Sequence, residues 1–311
     1  MTDVVVAIDI GGTGLKCALV DAAGGTIRHT ERHLTGAERG PAAVADTIVE
    51  VAAGLVDTAR LEGLEPRAIG LVAPGVIDET TGVAVWSANV GFRDVPLRDL
   101  VIARLELPAV LAHDVRGGAL AEARLGAGRG AERVWFVAIG TGIAAAYVRN
   151  GRTDSGAHGA SGEIGHVVVR PDGPRCGCGM RGCVEAFASA SSIARRYAQR
   201  AGAKISAADV VARAEDGDAA AIEIWADAID ALADGLRIGI TLYDPDIIVL
   251  GGGLAQAGAA LIDPLTSAVR ERLTFQTMPL LVRAELGDEA GCLGAAQLAI
   301  DLLAVAEGAR G

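Results

Sequence analysis

Uninterrupted apolar runs alternate along this chain with stretches whose apolar positions recur every three to four residues. The first run, VVVAIDI, is β-branched and reads as a buried strand that stops at Gly11-Gly12-Thr13-Gly14, and LKCALVD then reads as a second strand. Thr26 to Leu34 extends the sheet. From Pro41 to Ala59, Val44, Ile48, Val51 and Leu55 recur at helical spacing with proline near the start, which predicts an amphipathic helix. Ala68 to Ala73 predicts a strand stopped by Pro74-Gly75. Val110-Leu111 runs into His113-Asp114, and an alanine-rich helix follows through Leu125. Arg133 to Ile139 predicts a strand broken by Gly140-Thr141-Gly142, with Ala144 to Val148 returning. Helical segments follow from Ser189 to Ala201 and from Ala219 to Ile240. A strand over Ile247–Leu250 ends in Gly251-Gly252-Gly253, and an amphipathic helix spans Leu293 to Val305.

This pattern contains an echo. VAIDIGGTG and VAIGTG both place Gly-Thr-Gly after a strand and before another apolar strand, which predicts a duplicated architecture of two lobes facing a cleft. A length of 311 residues suits two lobes. No low-complexity linker separates them. The hydrophobic fraction is 51% with 3% aromatics, which fits a buried α/β sheet better than a stacking platform for bases. The net charge of −11 argues against nucleic acid as the main partner, because phosphate backbones are held by basic patches. No apolar run approaches the roughly 20 residues that span a bilayer, and no basic n-region or cleavage site precedes the first strand, so the expected location is the cytoplasm. A reducing compartment fits the five cysteines, of which Cys17 and Cys292 lie in apolar neighbourhoods and read as core thiols.

The other three cysteines carry chemistry. In GEIGHVVVRPDGPRCGCGMRGCVE, His166 precedes Cys176, Cys178 and Cys183. One imidazole and three thiolates form the soft four-ligand set that closes a tetrahedral structural zinc site, and the interleaved glycines let so short a loop wrap one ion. The bland alternative is three unrelated buried thiols. With all four ligands from the protein, such a metal is architectural.

Asp9, Gly11, Gly12 and Thr13 have the ingredients of a phosphate cradle. Glycine lets backbone N–H groups approach phosphate oxygens, Thr13 adds a hydroxyl, Lys16 adds positive charge, and Asp9 is suited to Mg²⁺ directly or through water. Neither a Walker loop nor a Rossmann fingerprint is present, so a lone glycine-bearing hairpin is the competing reading. The loops Gly140-Thr141-Gly142 and Gly251-Gly252-Gly253, each after a strand, favour a nucleotide. Asn89, Asp114, Glu163, His166 and Glu185 lie in loops or just after strands and together suit a polyhydroxylated ligand. Singly, each is equally a solvated or capping residue. Glu163 and Glu185 bracket the zinc loop, through which a metal would fix their orientation.

DIGGTGLK, Pro74-Gly75, the aspartate after the central strand, GTG, GEIGH, CGCGMRGCVE and DPDIIVLGGG occur in that order. The chain thereby resembles, over essentially its whole length, the ROK family of bacterial sugar kinases, repressors and open reading frames, and in particular its actinobacterial members called glucokinases. The resemblance implies the two-lobed actin-like ATPase (ribonuclease H-like) fold with a duplicated core and an interlobe cleft. It implies a smaller lobe of residues 1–115 with a C-terminal helix at about 293–311, and a larger lobe of 116–292 that carries the zinc loop. It further implies ATP with Mg²⁺, a structural Zn²⁺ and a homodimer. By match of motif, Asp114 is the catalytic base, and Asn89, Glu163, His166 and Glu185 contact sugar hydroxyls.

Two departures from the family pattern stand out. Where kinases of the family carry Glu-Asn-Asp, this chain reads Ala112-His113-Asp114. An imidazole offers its donor and acceptor on opposite ring edges, so His113 either touches a hydroxyl differently or simply packs the site. Ala144-Ala145 replaces a glycine run, bringing two methyl groups towards the phosphates. The expected reaction is transfer of the γ-phosphoryl of ATP to a hexose, foremost O6 of glucose. The alternatives are another polyol (an N-acetylated amino sugar, fructose or a cyclitol) or a sugar-binding regulator without turnover. Repressors of the family place a winged helix-turn-helix ahead of DxGGT, for which the start of this sequence leaves no room. Arg116 is read as approaching a phosphate or facing solvent, and His29, His33 and His158 as loop residues without assigned chemistry.

Overall fold

The computed structural model describes residues 2–23 and 25–308, which divide into two compact units. The first comprises Met1–Ala121, Ser155–Ala160 and Asp288–Gly311, the second Glu122–Asp154 and Ser161–Gly287.

In the first unit, β1 (Thr2–Ile10), β2 (Gly14–Asp21) and β3 (Ile27–Leu34) form an antiparallel meander, followed by α1 (Pro41–Leu61) and β4 (Leu64–Ala73). A small sheet of β5 (Val76–Asp78), β6 (Val83–Trp86) and β7 (Arg93–Val95) leads through α2 (Leu97–Leu105) to β8 (Ala109–His113) and α3 (Asp114–Leu125). The main sheet has the order β3-β2-β1-β4-β8, with β4 parallel to both β1 and β8.

Strand alternation decides what each face meets. Val4, Val6, Ile8 and Ile10 of β1 pack with Val44, Ile48 and Leu55 of α1. Ile8, Ile48 and Leu55 are fully buried, each contributing about 1.5–3 kcal/mol. Val5 and Ala7 point the other way, and the same alternation sends Asp9 to that second face.

The second unit repeats the topology. Strands β9 (Arg133–Ile139), β10 (Ile143–Arg149) and β11 (Arg152–Thr153) form an antiparallel meander, and helices α4 (Val184–Ala188), α5 (Ala190–Ala201), α6 (Ala207–Glu215) and α7 (Ala219–Tyr243) follow. Then come β12 (Ile247–Gly251), α8 (Ala259–Arg272) and β13 (Leu280–Arg283). The order β11-β10-β9-β12-β13, with β12 parallel to β9 and β13, matches the first sheet position for position. The two Gly-Thr-Gly turns therefore occupy the same topological place, between the first two strands of each sheet. Trp135 and Val137 of β9 pack with Leu232, Leu236 and Ile240 of α7 in the core of this unit.

The chain then returns to the first unit as α9 (Ala290–Gly308). Its alanines 295, 296 and 299 are fully buried with Val5, Ala7 and Val72, and a side chain at Gly70 of β4 would strike the Ala295 carbonyl at 1.9 Å. Apolar residues wrap this helix rather than forming one stripe. The helical stretch Gly287–Ala306, which joins the turn Gly287–Glu289 to α9, is long and apolar enough to cross a membrane, where no such run was expected, yet it is partly buried and the small side chains of α9 form the contact with β4.

Candidate active site

In the first unit, the turn after β1 is closed by the Gly11 N–H, which donates to the Gly14 carbonyl at 2.9 Å, and by Thr35 Oγ1, which donates to the Gly11 carbonyl at 2.6 Å. That N–H is thus engaged inside the turn, as is the Gly140 N–H, which donates to the Gly142 carbonyl at 2.9 Å. In both loops the first glycine closes the turn. A side chain at Gly12 would come within 3.1 Å of Asn89 Cβ, so the exposed Asn89 turn lies against the phosphate-cradle turn.

Asp9 and Lys16 are opposite each other in the β1–β2 ladder, with Lys16 Nζ 3.8 Å from Asp9 Oδ2. Lys16 also donates to Asp288, as does Arg32 at 2.8 Å, and the Lys16 hydrogen bond leads the causes that hold Asp288 below the usual carboxylate range. Asp9 faces the first turn of α9, where a side chain at Gly291 would meet its Oδ2 at 2.5 Å. Burial pushes the Asp9 carboxyl up to about 6, the neighbouring Asp114 and Asp288 carboxylates add to the rise, and Lys16 opposes it. The carboxylates of Asp9, Asp114 and Asp288 against the two cations Lys16 and Arg32 leave one negative charge in excess, so the donor set fits a hard cation held through oxygen.

Asp114 opens α3 directly after β8, with its side chain 33% exposed. Its Oδ1 accepts the Val115 N–H at 2.7 Å and lies 3.2 Å from His113 Nδ1. His113 is 9% exposed, and its Nδ1 accepts the Val115 N–H at 3.2 Å. Arg116 neither approaches solvent nor lies open for a phosphate. It is 3% exposed and donates from Nε to Glu79 at 2.6 Å, because its helix turn faces the β5–β6 hairpin.

In the second unit, His166 lies in the turn Ile164–His166 and Cys183 directly precedes α4. Cys176 Sγ is 3.6 Å from His166 Nδ1, Cys178 Sγ is 3.7 Å from Cys183 Sγ, and all four ligand atoms lie within 4.8 Å of one another. A tetrahedron with Zn–S bonds of about 2.3 Å has S–S edges of about 3.8 Å, so the set fits zinc. The knuckle is closed by the Cys176 N–H, which donates to the Met180 carbonyl at 2.8 Å. The other ring edge of His166 faces Glu163, with Nε2 3.8 Å from its Oε2. Glu185 links the cluster to the Gly-Thr-Gly turn. Its Oε2 accepts the Ile143 N–H at 2.9 Å, its Oε1 lies 3.9 Å from Cys176 Sγ, and a side chain at Gly142 would meet it at 2.7 Å.

Beyond Gly251-Gly252-Gly253, a cavity of about 410 Å³ opens between α6 and the turn Gly253–Ala257. Val211, Leu254 and Ala257 line its apolar wall, and Ser206, Glu215 and Gln256 its polar edge. The glycine run pointed to this place, but only the packing of α6 brings Ser206 and Val211 there. Asp288 and Glu79 were also missed, since each lies far in sequence from the residue it serves.

Other residues depart from expectation. Ala145 does not face the turn region but packs in the core, because β10 alternates and Ala144 takes the outward position. His29 and His33 lie on β3, where both approach Glu31, at 3.5 and 2.8 Å. Cys17 and Cys292 are buried as core thiols, and burial pushes Cys17 up to about 12.

The chain is 33% identical over 318 residues to a glucokinase of Thermotoga maritima, covering 94% of this chain and 96% of that protein. Its structure is similar to a ROK hexokinase from Thermus thermophilus, with a TM-score of 0.87, 33% identity and coverage of 98% and 99% of the two chains. It is also similar to a ROK family glucokinase from Streptomyces griseus solved in complex with glucose and AMPPNP, with a TM-score of 0.78, 30% identity and coverage of 96% and 99%. These likenesses and the repeated sheet order identify the actin-like ATPase fold. The ROK family model matches residues 5–302, and the chain belongs to that family.

Proposed function

We propose that this protein is an ATP-dependent glucose kinase that transfers the γ-phosphoryl group to O6. The observation that carries the reading is Asp114, a one-third-exposed carboxylate at the β8–α3 junction of a unit whose first hairpin turn is DIGGT. The glucose and AMPPNP bound by the Streptomyces griseus relative support it. In the reaction the O6–P bond forms as the bond from Pγ to the β,γ-bridging oxygen breaks. ADP leaves with that electron pair, and the O6 proton passes to Asp114. Asn89, His113, Glu163, His166 and Glu185 hold sugar hydroxyls. Phosphates lie along Gly12, Thr13, Thr141 and Gly142, and the base occupies the cavity beyond Gly253. Asp9 and Lys16 serve the phosphate end, where bound Mg²⁺ offsets the charge of the transferring group. His166, Cys176, Cys178 and Cys183 hold Zn²⁺, which fixes the segment that presents Glu163 and Glu185. Positioning and electrostatics supply most of the acceleration.

Further parts of the proposal are a homodimer in solution, checked by light scattering, and a cytoplasmic location. The deciding experiment is a coupled ADP-release assay over glucose, fructose, N-acetylated amino sugars and cyclitols. Highest kcat/KM on glucose is expected. Preference for another sugar would replace the substrate, and tight glucose binding without turnover would replace the kinase with a sensor.

A further inference from the structure

The proposed reaction leaves unused an ion pair beside Asp114, in which Arg116 is buried and Glu79 half-buried. Arg116, two residues beyond Asp114 in the first turn of α3, donates from Nε to Glu79 Oε1 at 2.6 Å, and that same oxygen accepts the backbone N–H of His113 at 3.1 Å. One carboxylate oxygen thus grips the chain on both sides of Asp114, at the residue before it and on the helix turn that carries it. Glu79 is itself set by a tight turn, in which Asp78 Oδ1 accepts the N–H groups of Thr80 and Thr81 at 3.0 and 3.1 Å. Arg116 is fixed at its far end by Nη1, which donates to the Gly159 carbonyl at 3.3 Å. Its Nη2 is buried without a hydrogen-bond partner.

As a stability device this arrangement is poor. Burying Arg116 and half-burying Glu79 costs desolvation that well-packed apolar groups of the same size would avoid, and an unmade hydrogen bond adds to the cost. What the pair does supply is a rigid bearing for one side chain. We infer that Glu79 and Arg116 are positioning residues that set the direction of the Asp114 carboxylate, holding the β8–α3 junction to the β5–β6 hairpin. The inference rests on the reading of Asp114 as the base.

The test compares Glu79→Gln, Arg116→Gln and the double variant with the wild type. Glutamine at 79 can still accept the His113 N–H but leaves Arg116 without a counter-charge. Each single change is expected to lower kcat about 10- to 100-fold, the loss that follows a misplacement near 1 Å, with KM for glucose within about three-fold. The double variant should regain about ten-fold over the worse single one, since no lone charge then remains buried. Hydrogen exchange of residues 113–118 should quicken in the single variants and slow again in the double. Wild-type kcat in both single variants would overturn the inference, as would a loss accounted for by the unfolded fraction, or unchanged exchange at 113–118. If Glu79→Gln does not fold, Arg116→Lys, which keeps the charge but cannot reach Glu79 and Gly159 together, is judged by the same criteria. A wild type that turns over no sugar would instead refute the kinase reading, and the exchange comparison would still decide whether the pair holds the junction.

Discussion

Glycine-to-alanine substitution on two helices of the first unit should have opposite outcomes. In α1, Gly54 is exposed with nothing within 4 Å of an added Cβ. Alanine there lowers the entropy of the unfolded chain and stabilises by about 0.5–1 kcal/mol. In α9, a Cβ on Gly291 would lie 2.5 Å from Asp9 Oδ2 and 2.6 Å from its Cγ, against an ordinary contact of 3.4 Å or more. The shortfall is about 0.9 Å, the difference of 3.4 and 2.5. Asp9 sits one residue from the end of β1 and is paired in register with Lys16, so the backbone cannot yield and the carboxylate must swing away. The overpacking cost of about 1–3 kcal/mol cancels or exceeds the helical gain. A displacement near 1 Å at the phosphate end should lower kcat about 100-fold. Urea unfolding gives the stabilities and the ADP-release assay the rates. If Gly291→Ala were as stabilising as Gly54→Ala and kept full turnover, Asp9 would not be seated on α9, and its assigned part in the reaction would fall.

Asp114→Asn should leave the fold and the metal content intact while lowering kcat by about 100- to 10,000-fold, measured with glucose and ATP. Cys176→Ser and Cys183→Ser should each reduce zinc measured by elemental analysis and lower the unfolding midpoint, because every ligand of a closed structural site contributes to folding; unchanged zinc would place the ion elsewhere. Asp218 caps α7, accepting the N–H groups of Ala220 and Ala221. The Tyr197 hydroxyl, followed by the Ala221 N–H, holds it below the usual carboxylate range. A depressed acid stabilises above its unfolded pKa and loses that contribution as pH falls through the folded value. The destabilisation caused by Asp218→Asn at pH 7 should therefore shrink as pH falls below the ordinary aspartate value. A constant difference across that range would contradict the cap.

The strands around each Gly-Thr-Gly turn were legible because β1, β2, β9 and β10 are seven residues or longer, and β1 and β9 each stop directly before a glycine. The echo between them reported a true repeat of sheet order. The four-ligand cluster was legible because three cysteines fall close together in sequence. Strands β5 and β7, at three residues each, are too short for alternation to register. Arg116 was misread for another reason. An arginine on an alanine-rich helix normally reaches water, and the glutamate that draws it inward lies 37 residues away in a hairpin turn. Thr26 to Leu34 reads as a strand and forms β3, but His29 and His33 read as loop residues because they alternate with charged and polar neighbours on a strand with no fully buried position. The cavity beyond Gly253 needed α6, which no glycine motif announces.

Because α9 belongs with β1 and β4 yet follows all of residues 122–287, the ribosome releases it last among the described elements of the first unit. During synthesis of the intervening 122–287 segment, the flank of β4 that carries Gly70 waits bare, a narrow furrow shaped for the backbone at Ala295. The inserted body is therefore free to mature first, and the earliest-made sheet closes only when this late helix docks. A stop codon or protease cut just ahead of Ala290 would remove few residues, yet leave that furrow as a sticky surface for chaperones or for other nascent chains.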